Sequence, residues 1–406
     1  MSAIAPSDRL NAPSADRVVV CLAGSGFRAA LFQLGALRRL NELGLLSCVQ
    51  SMHAVSGGGI VLGMLATQWP YLEVDGRGRL LEFDHYVADP IEQFVCRRLN
   101  LRPGVSTRVR PRNWRKLLSG QFTETDRLVE LIEHRLVGRK RLTELEELGV
   151  EFHWHATNLR TGGGWEFSAG RVGESLLGYR WPDRTTISEA VAASLIEPAI
   201  VSPLVYRSNP DLFEGGTGDE SILRMRRIAL LTDGAMQNPL AIDSSIGLGG
   251  TVIVCDGGSM VMPAEDYADW IGNRLVRSMV IQQHRAVELR RRWFVEAIRN
   301  QQIQGTYIGL SAHHADYGLP DSTGYSVRVA EQIWQLPSGL ERIKRDAVPL
   351  VSNHGYTIAD AAVRRLLSHR LKYLPPLRLP FPDAGDEQTM SIRIERPYPG
   401  SSQRAA

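Results

Sequence analysis

Two apolar runs, each ended by a glycine turn that opens a helix, constrain the fold of this chain more than any other feature. Arg17-Val18-Val19-Val20-Cys21-Leu22 reads as a buried parallel strand, and Ala23-Gly24-Ser25-Gly26-Phe27-Arg28-Ala29 turns it into a helix. Leu31, Leu34, Leu37 and Leu40 recur on that helix at helical spacing, and Gly44 stops it. A second strand runs to Val55, and the next helix starts after Ser56. Such a β-turn-α-β-turn-α unit sets its strands parallel in one sheet, so both glycine turns fall at the carboxyl ends of the strands. Active sites of open α/β sheets lie along that edge.

Ser56 is the first candidate for chemistry. A serine oxygen attacks a carbonyl well when it stands clear of the backbone, a base takes its proton and N–H donors receive the developing oxyanion. A sharp strand-to-helix turn meets the first condition, and Ala54-x-Ser56-x-Gly58, with Gly57 between, is the nucleophile-elbow pattern with its first glycine replaced. A helix-capping serine in an ordinary connection fits the same residues. The first turn also satisfies the dinucleotide fingerprint as Gly24-x-Gly26-x-x-Ala29. That fingerprint wants an acid at the end of the second strand, which here ends in Ala54-Val55-Ser56, so no nucleotide cofactor is expected. Backbone N–H groups around Ser25 and Gly26, at a helix N-terminus, read better as an oxyanion hole over Ser56.

The proton acceptor has to come from elsewhere in the chain. Arg227-Ile228-Ala229-Leu230-Leu231-Thr232 reads as a buried strand ending in Asp233-Gly234-Ala235, and a carboxylate beside a turn glycine is placed to reach across the sheet edge. Asp256, after Thr251-Val252-Ile253-Val254-Cys255, has the same local grammar, and the pattern alone does not choose between them. An aspartate base at its ordinary pKa of about 3.9 would keep hydrolysis running to about pH 5, whereas a histidine base would titrate near about 6.5.

The rest of the chain sets limits. At 406 residues it has room for one large or two modest domains, and Lys+Arg 47 against Asp+Glu 44 leaves +3, which gives no reason to expect a nucleic-acid partner. Cys21, Cys48, Cys96 and Cys255 have no paired spacing, which fits a reducing compartment. Residues 1–16 read as a disordered leader without a signal-peptide core, no apolar run reaches about 18 residues, and the chain is expected to be cytosolic with at most peripheral lipid contact. His153 and His155 face one side of a strand from Val150 to Leu159 that turns at Gly162-Gly163-Gly164 into Trp165-Glu166-Phe167, but a third metal ligand is not identifiable, so no metal is expected. From Arg97 to Lys116 there are eight Lys/Arg and no acid, a pattern that suits an anionic lipid surface or a solvated loop. Residues 263–299 form a long helical stretch that includes Arg290-Arg291-Arg292-Trp293-Phe294. Residues 371–406 hold six of the 21 prolines and read as an extended tail.

Leu22-Ala23-Gly24-Ser25-Gly26-Phe27-Arg28-Ala29-Ala30, then Ala54-Val55-Ser56-Gly57-Gly58, then Asp233-Gly234-Ala235 resemble, in order, the three motifs of the patatin-like phospholipases. Ala156-Thr157-Asn158-Leu159-Arg160-Thr161-Gly162, Ala192-Ala193-Ser194 before Pro198 and Pro203, and Asn353-His354-Gly355-Tyr356 before Ala359-Asp360-Ala361-Ala362 resemble segments of the bacterial branch. The resemblance covers about residues 17–370 and implies a three-layer α/β/α patatin-like fold with a mainly parallel central sheet. It further implies a Ser-Asp dyad without histidine: Ser56 as nucleophile, Asp233 in preference to Asp256 as base, and Gly24, Ser25, Gly26, Phe27 and Arg28 as the oxyanion-hole turn. Arg28 would orient that turn or a phosphate, or fix the loop through a salt bridge. The implied activity is that of a serine lipid acyl hydrolase on phospholipid or lysophospholipid, with an acyl-enzyme intermediate and no cofactor. A soluble esterase or thioesterase on the same dyad, or a lipid-binding or signalling module, are the alternatives. Two positions depart from the family pattern: Ser25 stands for the middle glycine of the turn and Ala54 for the first glycine of the elbow. A serine at positive φ would cost about 1 kcal/mol, and such departures would suit weak or selective activity.

Overall fold

Six consecutive buried residues, rich in β-branched side chains, make Val18–Ala23 (β1) a strand at the heart of the sheet. Val18, Val20 and Leu22 enter one apolar layer and Val19, Cys21 and Ala23 the other, as the two-residue period of a strand buried on both faces requires. The computed structural model describes residues 17–101, 122–197, 201–246, 249–258, 261 and 270–385. Of the basic stretch 97–116, residues 102–116 lie outside the described residues, as does Pro198.

From β1 the chain passes into Gly26–Glu42 (α1), Val49–Ala54 (β2) and Gly57–Gln68 (α2). Asp89–Val95 (α3) and Glu124–Ile132 (α4) precede Glu151–Asn158 (β3). Gly164–Phe167 (β4), Val172–Glu174 (β5) and Gly178–Arg180 (β6) then extend the sheet, followed by Ile187–Leu195 (α5) and Leu204–Arg207 (β7). Ile228–Asp233 (β8), Thr251–Asp256 (β9), Ile271–Arg299 (α6), Gln304–Gly309 (β10), Val327–Trp334 (α7) and Val348–Leu366 (α8) complete the described core.

The central five strands, in the order β10-β9-β1-β2-β3, are all parallel. Beyond β3 the sheet turns antiparallel through β4, β5 and β6. Helices α1, α2 and α8 pack on one face, while the end of α6 packs on the other through Phe294 and Val287, giving the expected three layers. Sixteen of the 17 residues of α1 are buried, so its polar side chains need partners. Arg38 meets Asp84 at 2.6 Å and Glu92 at 2.9 Å, and Arg39 meets Asp360 at 2.7 Å.

The pairing around β3 positions the site. Residues Glu151 to Trp154 pair with β2, and Ala156 to Asn158 pair with β8. Because β4 pairs with Trp154 to Thr157 as well, it must occupy the other side of β3. Strands β2 and β8 therefore share one side of β3, running towards each other head to head. Ala54 stands opposite Trp154 and Asp233 opposite Ala156, so the two strand ends lie two residues of β3 apart, about 7 Å.

Candidate active site

Ser56, just past the end of β2, adopts φ 52° and ψ −129°, a conformation that non-glycine residues rarely hold. The conformation is over-determined by its surroundings. The Ser56 N–H donates to the Ser194 carbonyl at 2.9 Å, and the Gly57 N–H donates to the Gly24 carbonyl at 2.9 Å. A Cβ on Gly57 would lie 2.3 Å from the Gly26 carbonyl oxygen, so the elbow and the first glycine turn are in direct backbone contact.

That first turn takes positive φ at Gly24 (108°) and Gly26 (68°), while Ser25 between them is extended at φ −82°. The serine in place of the family's middle glycine thus carries no backbone penalty, because the left-handed positions are its two neighbours. Ala54 remains inside β2 in regular register with Leu22. The Phe27 N–H donates to the Gly339 carbonyl at 3.0 Å, whereas no described acceptor takes the N–H groups of Ser25 and Gly26, which stand at the positive end of α1. Arg28 is buried, and its Nη1 donates to the carbonyls of Trp334 and Leu336 at 2.5 and 2.6 Å, which ties the turn to the C-terminal end of α7 through backbone oxygens.

Asp233 ends β8, with its carboxyl near the Ser56 side chain. Its Oδ1 accepts from the Ala235 N–H at 2.8 Å. Its own N–H donates to the Ile196 carbonyl at 2.8 Å, and its carbonyl accepts from Thr157 Oγ1 at 2.9 Å. One short segment at the end of α5 therefore holds both partners, Ser56 through Ser194 and Asp233 through Ile196. In the sequence Ser194 figures only within the family resemblance, and Ile196 is not part of any motif. Neither carries a signal of its own, because each acts through its backbone carbonyl.

Ser56 and Asp233 are 2% and 5% exposed. Burial pushes the Asp233 carboxyl up to about 7, against the lowering effect of the Ala235 N–H and the Ser56 hydroxyl, and Glu197 nearby raises it further. The ordinary aspartate pKa assumed from sequence does not hold in this site, and the expectation that activity persists to about pH 5 changes with it. A base must be ionised to accept a proton, so with Asp233 as the base of an ester hydrolysis kcat/KM would fall about tenfold per pH unit below about pH 7 and level off above it. Removing the Glu197 charge in Glu197→Gln should move that limb to lower pH; a profile flat from pH 8 to 5 would contradict this electrostatic picture.

Asp256, the other strand-end carboxylate, lies two strands from β2 in the opposite direction, across β1. It accepts from Tyr307 Oη at 2.6 Å and from the Gly258 N–H at 2.8 Å. The Gly257 N–H donates to the Ala23 carbonyl at 2.8 Å, and a Cβ on Gly24 would lie 2.4 Å from the Gly258 nitrogen. Asp256 thereby braces the loop that supports the first glycine turn.

His153 and His155 do face the same side of β3, and His53 of β2 stacks against both, with ring centroids 4.4 and 5.4 Å away. His153 pairs with Glu166 at 2.8 Å and lies 3.7 Å from Glu151; against the lowering effect of burial, these two carboxylates lift its pKa to about 9, whereas burial lowers His155 to about 4. Among the described residues no group of three or more His, Cys, Asp or Glu is placed to hold a metal ion, and no histidine has a hydrogen bond to Ser56 or Asp233. A cavity of about 250 Å³ lined by Arg17, Gln50, Gly149 and Glu151 opens at the opposite, amino-terminal edge of the sheet and is remote from this chemistry.

The family model described as patatin-like phospholipase matches residues 20–244, more than half of the chain. No curated protein matches the sequence significantly. Among solved structures, the chain is similar to human GIVD cytosolic phospholipase A2 in complex with methyl gamma-linolenyl fluorophosphonate, at 15% identity and a TM-score of 0.44, covering 88% of this chain and 59% of that one. A second structure of the human enzyme is 16% identical over 60% of this chain and 46% of that chain, with a TM-score of 0.40. VipD from Legionella pneumophila is 11% identical over 88% of this chain and 68% of that chain, with a TM-score of 0.32. The chain thus spans less than two thirds of the human enzyme's length in these matches.

Proposed function

Because the chain belongs to the patatin-like phospholipase family, we propose that it is a serine lipid acyl hydrolase of phospholipase A or lysophospholipase type working through Ser56 and Asp233. The observation that carries this reading is the meeting of a strained, buried serine and a buried carboxylate at facing strand ends, with two N–H groups at a helix N-terminus beside them. In the proposed reaction Ser56 Oγ attacks the ester carbonyl carbon while its proton passes to Asp233, and the oxyanion is received by the N–H groups of Ser25 and Gly26. Collapse of the tetrahedral intermediate breaks the ester C–O bond, and the leaving alkoxide takes the proton from Asp233. Water, deprotonated by Asp233, then attacks the acyl-enzyme, and the proton returns to Ser56 as the fatty acid leaves. Gly57 serves by letting the two turns approach, Gly24 by admitting the loop after β9 and Gly58 by admitting the end of β1, while Arg28 fixes the first turn in place.

Acyl release from phosphatidylcholine and lysophosphatidylcholine, measured beside hydrolysis of a short water-soluble nitrophenyl ester, tests the substrate class. Turnover is expected to rise when the lipid passes from monomers to aggregates. Equal turnover of the soluble ester, with no rise on aggregation, would point instead to a soluble esterase.

A further inference from the structure

Helix α6 has 29 residues, yet only Phe294 and Ala297, near its end, are buried. Ile271, Leu275, Met279, Leu289 and Trp293 all stand exposed, and with Ala286 they fall at spacings of 4, 4, 7, 3 and 4, which is one stripe along a helix. Ile271, Leu275 and Leu289 are 67%, 61% and 53% exposed. The face with Val287, Phe294 and Ile298, turned by about 100° or more from the stripe, packs on the sheet, so the stripe up to Trp293, before the buried Ala297, lies off the packed face. Seven arginines against two glutamates make the helix strongly cationic, and Arg274, Arg285 and Arg292 run alongside the stripe on one flank.

Position adds to pattern. Helix α6 links the parallel neighbours β9 and β10 and so runs antiparallel to them, its packed C-terminal end towards the amino edge of the sheet. It is about 43 Å long beside strands of about 20 Å. Its unpacked N-terminal half therefore extends towards and past the carboxyl edge, where Ser56 lies.

We propose that the exposed stripe of α6 is a docking surface for an anionic lipid interface, lying in the headgroup region with its apolar residues inserted and its arginines among the phosphates. Among the described residues no helix is long and apolar enough to cross a membrane, so the contact is peripheral. A second copy of the chain would bring two arginine-rich helices together, which the same charge opposes. The proposal deepens the lipid-hydrolase reading, since it places the substrate's own surface at the edge that carries the dyad.

The test is co-sedimentation of the full chain with vesicles of phosphatidylcholine alone and with phosphatidylserine added, for wild type, Leu275→Glu/Met279→Glu and Arg285→Gln, each checked by melting temperature. Labelling of Ser56 by a small fluorophosphonate without vesicles serves as a parallel readout. Wild type is expected to bind the phosphatidylserine vesicles at least tenfold better than phosphatidylcholine alone. The double variant should lose that binding and keep its labelling, and Arg285→Gln should lose part of the phosphatidylserine preference only. Unchanged binding by the double variant, or no binding by a wild type that labels, would overturn the proposal. So would a wild-type dimer that the double variant converts to monomer without loss of vesicle binding. Binding without labelling would support the docking surface while counting against the hydrolase reading.

Discussion

Asp233→Asn is expected to lower kcat/KM for lipid ester hydrolysis by about 10⁴-fold and, above pH 8, to raise the melting temperature. Both effects come from the same burial. The amide is isosteric and keeps an oxygen for the Ala235 N–H, but it accepts no proton from Ser56. The stability change follows from the raised carboxyl pKa of about 7. A group whose pKa is higher folded than unfolded favours the fold at low pH, and that contribution is lost as pH rises through the folded value. Between about 4 and 7 the wild type keeps a proton that the unfolded chain releases, and above 8 the folded chain has to hold a buried anion, at a cost of ~4 kcal/mol relative to the protonated form. The variant is free of that cost, so its advantage should be present at pH 8 to 9 and absent at pH 4. Melting curves across this range check it, and equal melting temperatures at pH 9 would show that the carboxylate is not held as described.

Ser56→Gly is the second large effect. Removing the proposed nucleophile should cost about 10⁶-fold in kcat, leaving only what the oxyanion donors and binding supply. The backbone gains at the same time. Serine at φ 52°, ψ −129° stores about 1–3 kcal/mol, which glycine does not, while the extra chain entropy of glycine returns up to about 1 kcal/mol of this. Ser56→Ala keeps the strained backbone. Ser56→Gly should therefore be more stable than Ser56→Ala by about 1 kcal/mol, the reverse of the usual order for these two residues. Denaturant midpoints of the pair decide the matter, and a glycine variant less stable than the alanine one would mean that the elbow is not strained.

How far the sequence could be read depended on how local each signal was. The unit from β1 to α2 was legible because its apolar runs, glycine turns and helical spacing sit within one continuous stretch, and β3 with β4 was legible from the glycine turn between them. The choice between Asp233 and Asp256 was not, since both end a buried strand and are followed by a glycine. It depends on β8 running antiparallel on the same side of β3 as β2, through a pairing of Asp233 with Ala156 that local sequence does not reveal. The motif resemblance named Asp233, and the register supplies the reason it reaches Ser56. The raised Asp233 carboxyl pKa was not legible for a related cause: burial is a tertiary property that composition does not carry. At Ser25 the sequence raised a concern that the backbone removes, because the positive φ values fall on Gly24 and Gly26. For α6 the helix was legible but its packing was not, and a helix buried along most of its length was as compatible with the pattern as the projecting one.

The most direct measurement of the central claim is covalent labelling by a fluorophosphonate serine probe of wild type, Ser56→Ala, Asp233→Asn and Asp256→Asn, each shown to be folded, at pH 8. The account predicts labelling of wild type, none of Ser56→Ala and almost none of Asp233→Asn. Asp256→Asn should retain labelling, slowed to the extent that the Gly24 turn loosens without its brace. Labelling of Asp233→Asn at the wild-type rate, with loss in Asp256→Asn, would contradict it, because the base would then lie on the other side of β1.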